Sequence, residues 1–102
     1  MLTLTHLTDE GHGWLVVTPA DAKALGLTHA DLTQFSFVGP DGTLYAEEDC
    51  DAVVVLARHH RTYGCEPDMR ERHESGGAYC RAYARCTGDS DEWIGAHRYL
   101  DE

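Results

Sequence analysis

Four cysteines and seven histidines are the residues of this chain best suited to bind a metal, because thiolate and imidazole groups are common ligands of zinc. Their spacing does not favour such a site, since the chain has no C-x-x-C pair and no H-x-x-x-H pair. Cys80 and Cys86 would lie about 20 Å apart on a straight strand. We therefore predict no bound metal and no cofactor, and we keep one alternative metal site formed by Cys65, His73 and Cys80.

Nucleophilic or acid–base catalysis would require an activated thiol or a paired imidazole. Cys50 lies at the start of a predicted helix, which normally lowers the pKa of a thiol, but the carboxylates around it raise that pKa again. His12 lies between two glycines and close to Trp14, where it fits either a ligand contact or a turn. We predict no catalytic residue. The alternative is a small metal-binding or hydrolytic enzyme that uses His12, Cys65, His73 and Cys80.

A run of acidic residues is the first candidate binding surface. Four carboxylates occur within five positions, at Glu47, Glu48, Asp49 and Asp51. Because a helix N-terminus favours anionic side chains, the run also has a purely structural interpretation. Carboxylates fixed between a hairpin and a helix can, however, occupy a groove of Arg and Lys that otherwise binds phosphates. We predict that these four residues form an acidic partner-binding surface, whose binding weakens as the salt concentration rises.

Arginine and tyrosine form a second candidate surface. Residues 58–86 carry six arginines and four acids, whereas residues 1–57 carry one lysine and nine acids. Strand alternation places six side chains on one face: Arg70, Arg72, Tyr79, Arg81, Tyr83 and Arg85. Both residue types are enriched at interface hot spots and stack on nucleic-acid bases. We predict a partner-binding face or a homodimer seam. The alternative is an exposed strand face whose arginines cover tyrosine rings and pair with the acids of the C-terminal tail.

Composition narrows the class of protein. The chain has 102 residues, of which 42% are hydrophobic, and its 18 acidic and 8 basic residues give a net charge of −10. This charge excludes a general electrostatic nucleic-acid binder. The longest apolar run, residues 52–57, is far shorter than the roughly 20 residues that cross a bilayer, and no signal-peptide pattern follows Met1. We expect one domain over residues 1–102, no membrane partner and a location in the cytoplasm of a host cell.

Turn signals and apolar alternation predict an α+β fold, in which an antiparallel sheet of about three hairpins packs against one main helix. The hairpins are predicted to pair residues 2–5 with 14–17, residues 35–38 with 43–45, and the two halves of residues 67–86 around a turn at 74–77. A short helix is predicted over about 19–25, with a further capped turn at 28–31. The tail that follows Asp89 is predicted to fold back as a short helix.

The main helix is predicted over about residues 49–63. Its first turn is acidic and its last turn is basic, which complements the helix dipole at both ends, and Gly64 provides a stop signal. Three consecutive valines favour a strand instead, but the length and the end signals outweigh them. Helical spacing predicts a buried side formed by Val53, Leu56, His60 and Tyr63.

Two short segments carry a resemblance to known sequences. Residues 11–15 form a GHGWL motif ahead of the short helix, and residues 45–52 form a Y-x-EEDCDA motif at the start of the main helix. Both resemble segments of small uncharacterised proteins of phages and mobile elements, over about residues 9–60. In its small size and acidity the chain is also similar to the anti-CRISPR class, whose members share no single fold.

Together these patterns predict a small acidic phage-type protein that binds and inhibits a host protein complex without catalysis. The complex is expected to handle nucleic acid, so that the carboxylates of residues 47–51 dock in its basic groove while the Arg/Tyr face makes a second contact. Two alternatives stay open: the metal-binding or hydrolytic enzyme described above, and an accessory module whose Arg/Tyr face binds single-stranded RNA.

Overall fold

A computed structural model describes residues 1–86 as an α+β fold, with a mixed six-stranded sheet and two helices. The strands are β1 Thr3–Thr8, β2 Gly13–Val17, β3 Phe37–Val38, β4 Leu44–Glu47, β5 Asp68–His73 and β6 Ala84–Arg85, and the helices are α1 Pro19–Leu25 and α2 Ala52–Tyr63. The strand order is β5-β1-β2-β4-β3-β6. The helix predicted after Asp89 lies outside the described residues. Within residues 1–86, no helix is long and apolar enough to cross a membrane.

The first two predicted hairpins are confirmed. Strands β1 and β2 pair antiparallel with Leu7 opposite Trp14, and β3 and β4 pair antiparallel with Phe37 opposite Tyr45. Strand β4 also pairs with β2, which joins the two hairpins into one sheet. Each hairpin is predictable because its strands are close in sequence and its turn chemistry lies between them.

The predicted short helix and the capped turn are also confirmed. The Thr18 side chain accepts a hydrogen bond from the Asp21 backbone N–H at the start of α1. This helix ends at Gly26, whose φ of 67° lies in the left-handed region that glycine adopts without strain. At residues 28–31, Thr28 and Asp31 form a reciprocal capping box around a short 3-10 helix.

The main helix begins later than predicted and buries a different side. Helix α2 starts at Ala52, because residues 48–51 form a turn, and it ends at Gly64 as expected. Its buried residues are Ala52, Val54, Val55, Ala57 and His59. His60 and Tyr63, which the helical spacing placed on the core side, are exposed, and Val53 and Leu56 are only partly buried. Apolar residues occur on both sides of this helix, so their spacing alone could not predict which side faces the core.

The third predicted hairpin is wrong. Strand β5 pairs in parallel with β1, from Thr3 opposite Asp68 to Thr8 opposite His73, so the sheet is mixed. The chain turns after β5 as expected, but it then crosses the sheet through a 3-10 helix, Tyr79–Ala82, and pairs β6 with β3 at the opposite edge. All six residues of β5 are exposed. The sequence therefore contains no alternation of buried and exposed residues from which the strand that pairs with β5 could be predicted.

The two faces of the sheet carry separate cores. On one face, α1 and α2 pack over aliphatic residues of the central strands, among them Leu15, Val17 and Leu44. On the opposite face, Trp14, Phe37 and Tyr45 pack with Leu7 and are covered by Ala78 and Cys80. The second face is therefore covered by the segment that contains the 3-10 helix Tyr79–Ala82, and neither α1 nor α2 packs there.

His59 links helix α2 by hydrogen bonds to the N-terminal segment before β1 and to the loop that follows the helix. Its side chain is fully buried. Its Nε2 accepts a hydrogen bond from the Leu2 backbone N–H at 3.0 Å, and its Nδ1 donates to the Cys65 carbonyl oxygen at 2.6 Å. One neutral tautomer thus satisfies two backbone groups that would otherwise be buried without partners.

We predict that His59→Leu lowers the free energy of unfolding by about 1–3 kcal/mol, because it leaves the Leu2 N–H and the Cys65 carbonyl without partners. Urea denaturation followed by circular dichroism measures this change. His60→Leu is the matched control, since His60 is exposed one position further along the same helix. An equal loss in both variants would contradict the structural role of His59.

Candidate functional site

The second face of the sheet brings together five aromatic and three arginine side chains. We call the aromatic face the set formed by Trp14, Phe37, Tyr45, Tyr79 and Tyr83. Tyr45 contacts both Tyr79 and Tyr83, with ring centroids 5.7 and 5.6 Å apart. Trp14 and Phe37 lie 6.2 Å apart on the same face. Tyr79 remains 40% exposed, so part of this aromatic surface meets solvent.

Arginines lie over these rings. The Arg81 guanidinium is 5.0 Å from the Trp14 ring, that of Arg85 is 5.4 Å from the Phe37 ring, and that of Arg72 is 5.7 Å from the Tyr79 ring. Such cation–π contacts attract the guanidinium groups to the faces of the aromatic rings. Of the six residues of the predicted Arg/Tyr face, Arg72, Tyr79, Arg81, Tyr83 and Arg85 contact these rings, but they come from both edge strands and the segment between them instead of one hairpin. Arg70 is exposed on β5.

Asp9 joins the two irregular segments that border this face. Its Oδ1 accepts hydrogen bonds from the Gly11 and His12 backbone N–H groups, both at 2.9 Å. Its Oδ2 accepts from the Ala78 N–H at 2.9 Å, and the Arg81 guanidinium donates to both oxygens at 2.6 and 3.0 Å. The hydrogen bond from Arg81, together with the backbone donors, holds the pKa of Asp9 far below its ordinary value of 3.8.

A cavity of about 440 Å³ opens beside Asp9 on this face. Trp14 and Phe37 contribute aromatic lining, and Phe35, which is 52% exposed, lies at its border. Charged side chains of both signs complete the lining. Its residues are His12, Trp14, Phe35, Phe37, Glu47, Asp49, Cys50, Arg81 and Arg85.

The acidic part of this cavity groups three metal-ligating side chains. His12 Nδ1 lies 3.4 Å from Glu47 Oε1. One ligating atom from each of His12, Glu47 and Asp49 lies within 4.8 Å of the other two. Glu47 Oε2 accepts hydrogen bonds from the Asp49 and Cys50 backbone N–H groups at 2.9 and 2.8 Å, so this carboxylate is fixed by the chain that follows it.

The predicted acidic surface is not one exposed patch. Asp51 is fully buried and accepts hydrogen bonds from the Thr33 N–H at 3.0 Å, the Thr33 hydroxyl at 2.7 Å and the Ser36 hydroxyl. Glu47 is buried as well, whereas Glu48 and Asp49 are exposed. Only the latter two could meet a partner, because the other carboxylates organise the turn before α2.

The predicted Cys65, His73 and Cys80 metal site is not assembled. Strand β5, roughly 17 Å long, separates Cys65 from His73, too far for two ligands of one ion. Cys80 is buried in the core of the second face, and burial raises the pKa of its thiol to about 11. Burial and the Glu47 carboxylate likewise raise the pKa of Cys50 to about 11, in the direction predicted from its acidic neighbours.

No protein-family model, curated protein or solved structure matches this chain. The site is therefore defined by its own geometry. Sequence reasoning named His12, Glu47 and Asp49 separately but did not bring them together. Their proximity follows from the pairing of β2 with β4, which places Trp14 opposite Glu47. Asp9 was missed, because its position in a Gly-rich turn indicated only a loop residue.

We predict that Asp9→Asn lowers the free energy of unfolding by at least about 2 kcal/mol, since each hydrogen bond to a charged group contributes about 1.5–3 kcal/mol. Urea denaturation measures the change, and hydrogen exchange should show faster exchange at the Ala78 N–H. Glu66→Gln is the control, because Glu66 is an exposed acid outside the two segments that Asp9 joins. Unaltered stability in Asp9→Asn would show that the Asp9–Arg81 pair does not hold the segment.

The stabilisation from Asp9 should depend on pH with a defined sign. Because folding lowers the pKa of Asp9 below its ordinary 3.8, the unfolded chain binds the proton first as the pH falls. The contribution is thus complete above that value and decreases below it. The difference in unfolding free energy between the wild type and Asp9→Asn should shrink progressively from about pH 5 to pH 2. A difference that stays constant over this range would contradict the assignment.

Proposed function

We propose that this protein is a non-catalytic binding protein that attaches to a host protein complex that handles nucleic acid and inhibits it, in the manner of anti-CRISPR proteins. The observation that carries the proposal is the gathering of aromatic and arginine side chains from three separate segments on one face of the sheet. Tyrosine and arginine are the residue types that dominate binding energy at protein interfaces. The exposed acids Glu48 and Asp49 supply the electrostatic part of the contact.

Two exposed aromatic rings provide the anchors of this surface. Phe35 is 52% exposed beside the cavity, and Tyr79 is 40% exposed where it contacts Tyr45. Both are rigid apolar groups that gain free energy when a partner removes them from water. Arg85 and Arg72 lie over neighbouring rings and add donors that can pair with carboxylates or backbone carbonyls of the partner.

The thiols support binding over covalent catalysis. Burial raises the pKa of Cys50 and Cys80 to about 11 and that of Cys86 to about 12. At neutral pH these thiols are protonated, whereas a nucleophilic cysteine reacts as the thiolate. These three thiols therefore do not favour covalent catalysis, and the face offers charge, hydrogen bonding and aromatic packing for recognition of a partner.

Single-stranded RNA is the second candidate partner, and it is favoured by the same stacking of arginine on aromatic rings. Bases stack on aromatic side chains and on guanidinium planes. The net charge of −10 opposes this candidate, because every approach to a phosphate backbone would meet long-range repulsion. We therefore place the protein partner first and let the experiment separate the two.

We predict that the tagged protein captures a stoichiometric protein complex from host lysate, with or without nuclease treatment. The double variant Phe35→Ala/Tyr79→Ala should weaken binding by about 30-fold or more, because truncating even one hot-spot residue costs at least about 2 kcal/mol. Tyr63→Ala is the matched control, since Tyr63 is an exposed aromatic ring on α2, away from the aromatic face. Recovery of RNA alone, abolished by nuclease, would instead support the RNA-binding candidate.

Charge reversal tests the electrostatic part of the contact. Glu48→Lys/Asp49→Lys should weaken capture and reduce its dependence on salt, because both carboxylates are exposed. Glu47 and Asp51 are left intact, since their reversal would disrupt the turn they hold together. Capture that is unchanged at every salt concentration would show that these acids take no part in binding.

A further inference from the structure

The group formed by His12, Glu47 and Asp49 has the donor set and the spacing of an incomplete metal site. Ligands of one ion lie about 3–3.5 Å apart when metal–ligand distances are about 2.0–2.2 Å. The 3.4 Å between His12 Nδ1 and Glu47 Oε1 falls in this range. The third atom, from Asp49, is within 4.8 Å of the other two, and Asp49 is exposed, so its side chain has room to close the remaining distance.

Hydrogen bonds that involve none of the three ligating atoms hold Glu47 and His12 in place. Backbone N–H donors from Asp49 and Cys50 occupy Glu47 Oε2 and leave Oε1 to face the imidazole of His12. The backbone of His12 is held in turn by Asp9 Oδ1. Outer hydrogen bonds of this kind orient the ligands of protein-bound metals.

Trp14 supplies an independent sign that the cavity accommodates a ligand. Its side chain is only 1% exposed, it lines the same cavity, and its ring centroid lies 6.2 Å from that of His12. Its indole Nε1–H has no hydrogen-bond acceptor among the described residues. Buried donors almost always have a partner, so this N–H needs an acceptor that the described residues do not supply, such as a bound water.

We propose that His12, Glu47 and Asp49 bind one divalent transition-metal ion at the acidic side of this cavity. One imidazole nitrogen and two carboxylate oxygens suit Zn²⁺, Mn²⁺ or Co²⁺, whereas Mg²⁺ and Ca²⁺ prefer oxygen ligands alone. Three protein ligands leave a further coordination position open toward the cavity, where Arg81 and Arg85 favour an anionic external ligand. This site is distinct from the Cys65, His73 and Cys80 set.

Isothermal titration of Zn²⁺ into the purified, chelator-treated protein tests the proposal without any partner. We expect one equivalent to bind, and His12→Gln and Asp49→Asn each to weaken its Kd by at least about 100-fold, since even the loss of a group that only orients a ligand costs 10–100-fold. Glu48→Gln and His60→Gln are matched controls, because both residues are exposed and outside the cluster. The proposal is wrong if no Zn²⁺ binds, or if all four variants bind alike.

A second readout locates the ion. The chain has two tryptophans, so Trp93→Phe leaves Trp14 as the only indole. Co²⁺ should quench the Trp14 fluorescence at one equivalent, because the ring lies beside His12, and the quenching should disappear in His12→Gln. Binding of one equivalent without quenching would place the metal elsewhere and overturn the assignment. The Zn²⁺ titration uses no partner, and the capture test with Phe35→Ala/Tyr79→Ala alters no proposed ligand. Failure of the metal site therefore leaves the proposed function standing, and the reverse also holds.

Discussion

The buried carboxylate of Asp9 is the interaction on which the second side of the molecule depends. A buried carboxylate costs less free energy when its oxygens accept hydrogen bonds, and both oxygens of Asp9 accept them from donors in two distant segments. It holds the turn before β2 and the crossing segment after β5 in one arrangement. The position of His12, the placement of Arg81 over Trp14 and the shape of the cavity between them follow from this one residue.

Asp51 performs the corresponding task at the start of α2. It receives hydrogen bonds from Thr33 and Ser36, and so ties the irregular segment before β3 to the turn that begins the main helix. Part of the acidic composition therefore has a structural use. The carboxylates of Asp9 and Asp51 accept hydrogen bonds from irregular segments that have no strand pairing to hold them in place. The sequence pattern that suggests an acidic docking surface is in part the pattern of this internal scaffold.

Local features of the fold are predictable from the sequence, and non-local ones are not. Both hairpins, the Thr18 cap and the glycine stops are encoded within a few residues, and the structure confirms them. The partner of β5 depends on a strand 65 residues away, and its wholly exposed side chains give no alternation to read. The candidate site falls between these cases. Glu47 and His12 carry recognisable chemistry, but only the pairing of β2 with β4 brings them within reach of each other.

The strand order has a consequence for the order in which the fold can assemble. The four central strands and both helices lie within residues 3–63, whereas the two edge strands, β5 and β6, come from residues 68–85. A chain emerging from the ribosome can thus form its aliphatic core while β1 and β3 still present unpaired edges, which are sites for association with other chains. Residues 68–86, which are synthesised after this core, cover the free edges of β1 and β3, and the Arg81–Asp9 pair fixes the aromatic face in the same step.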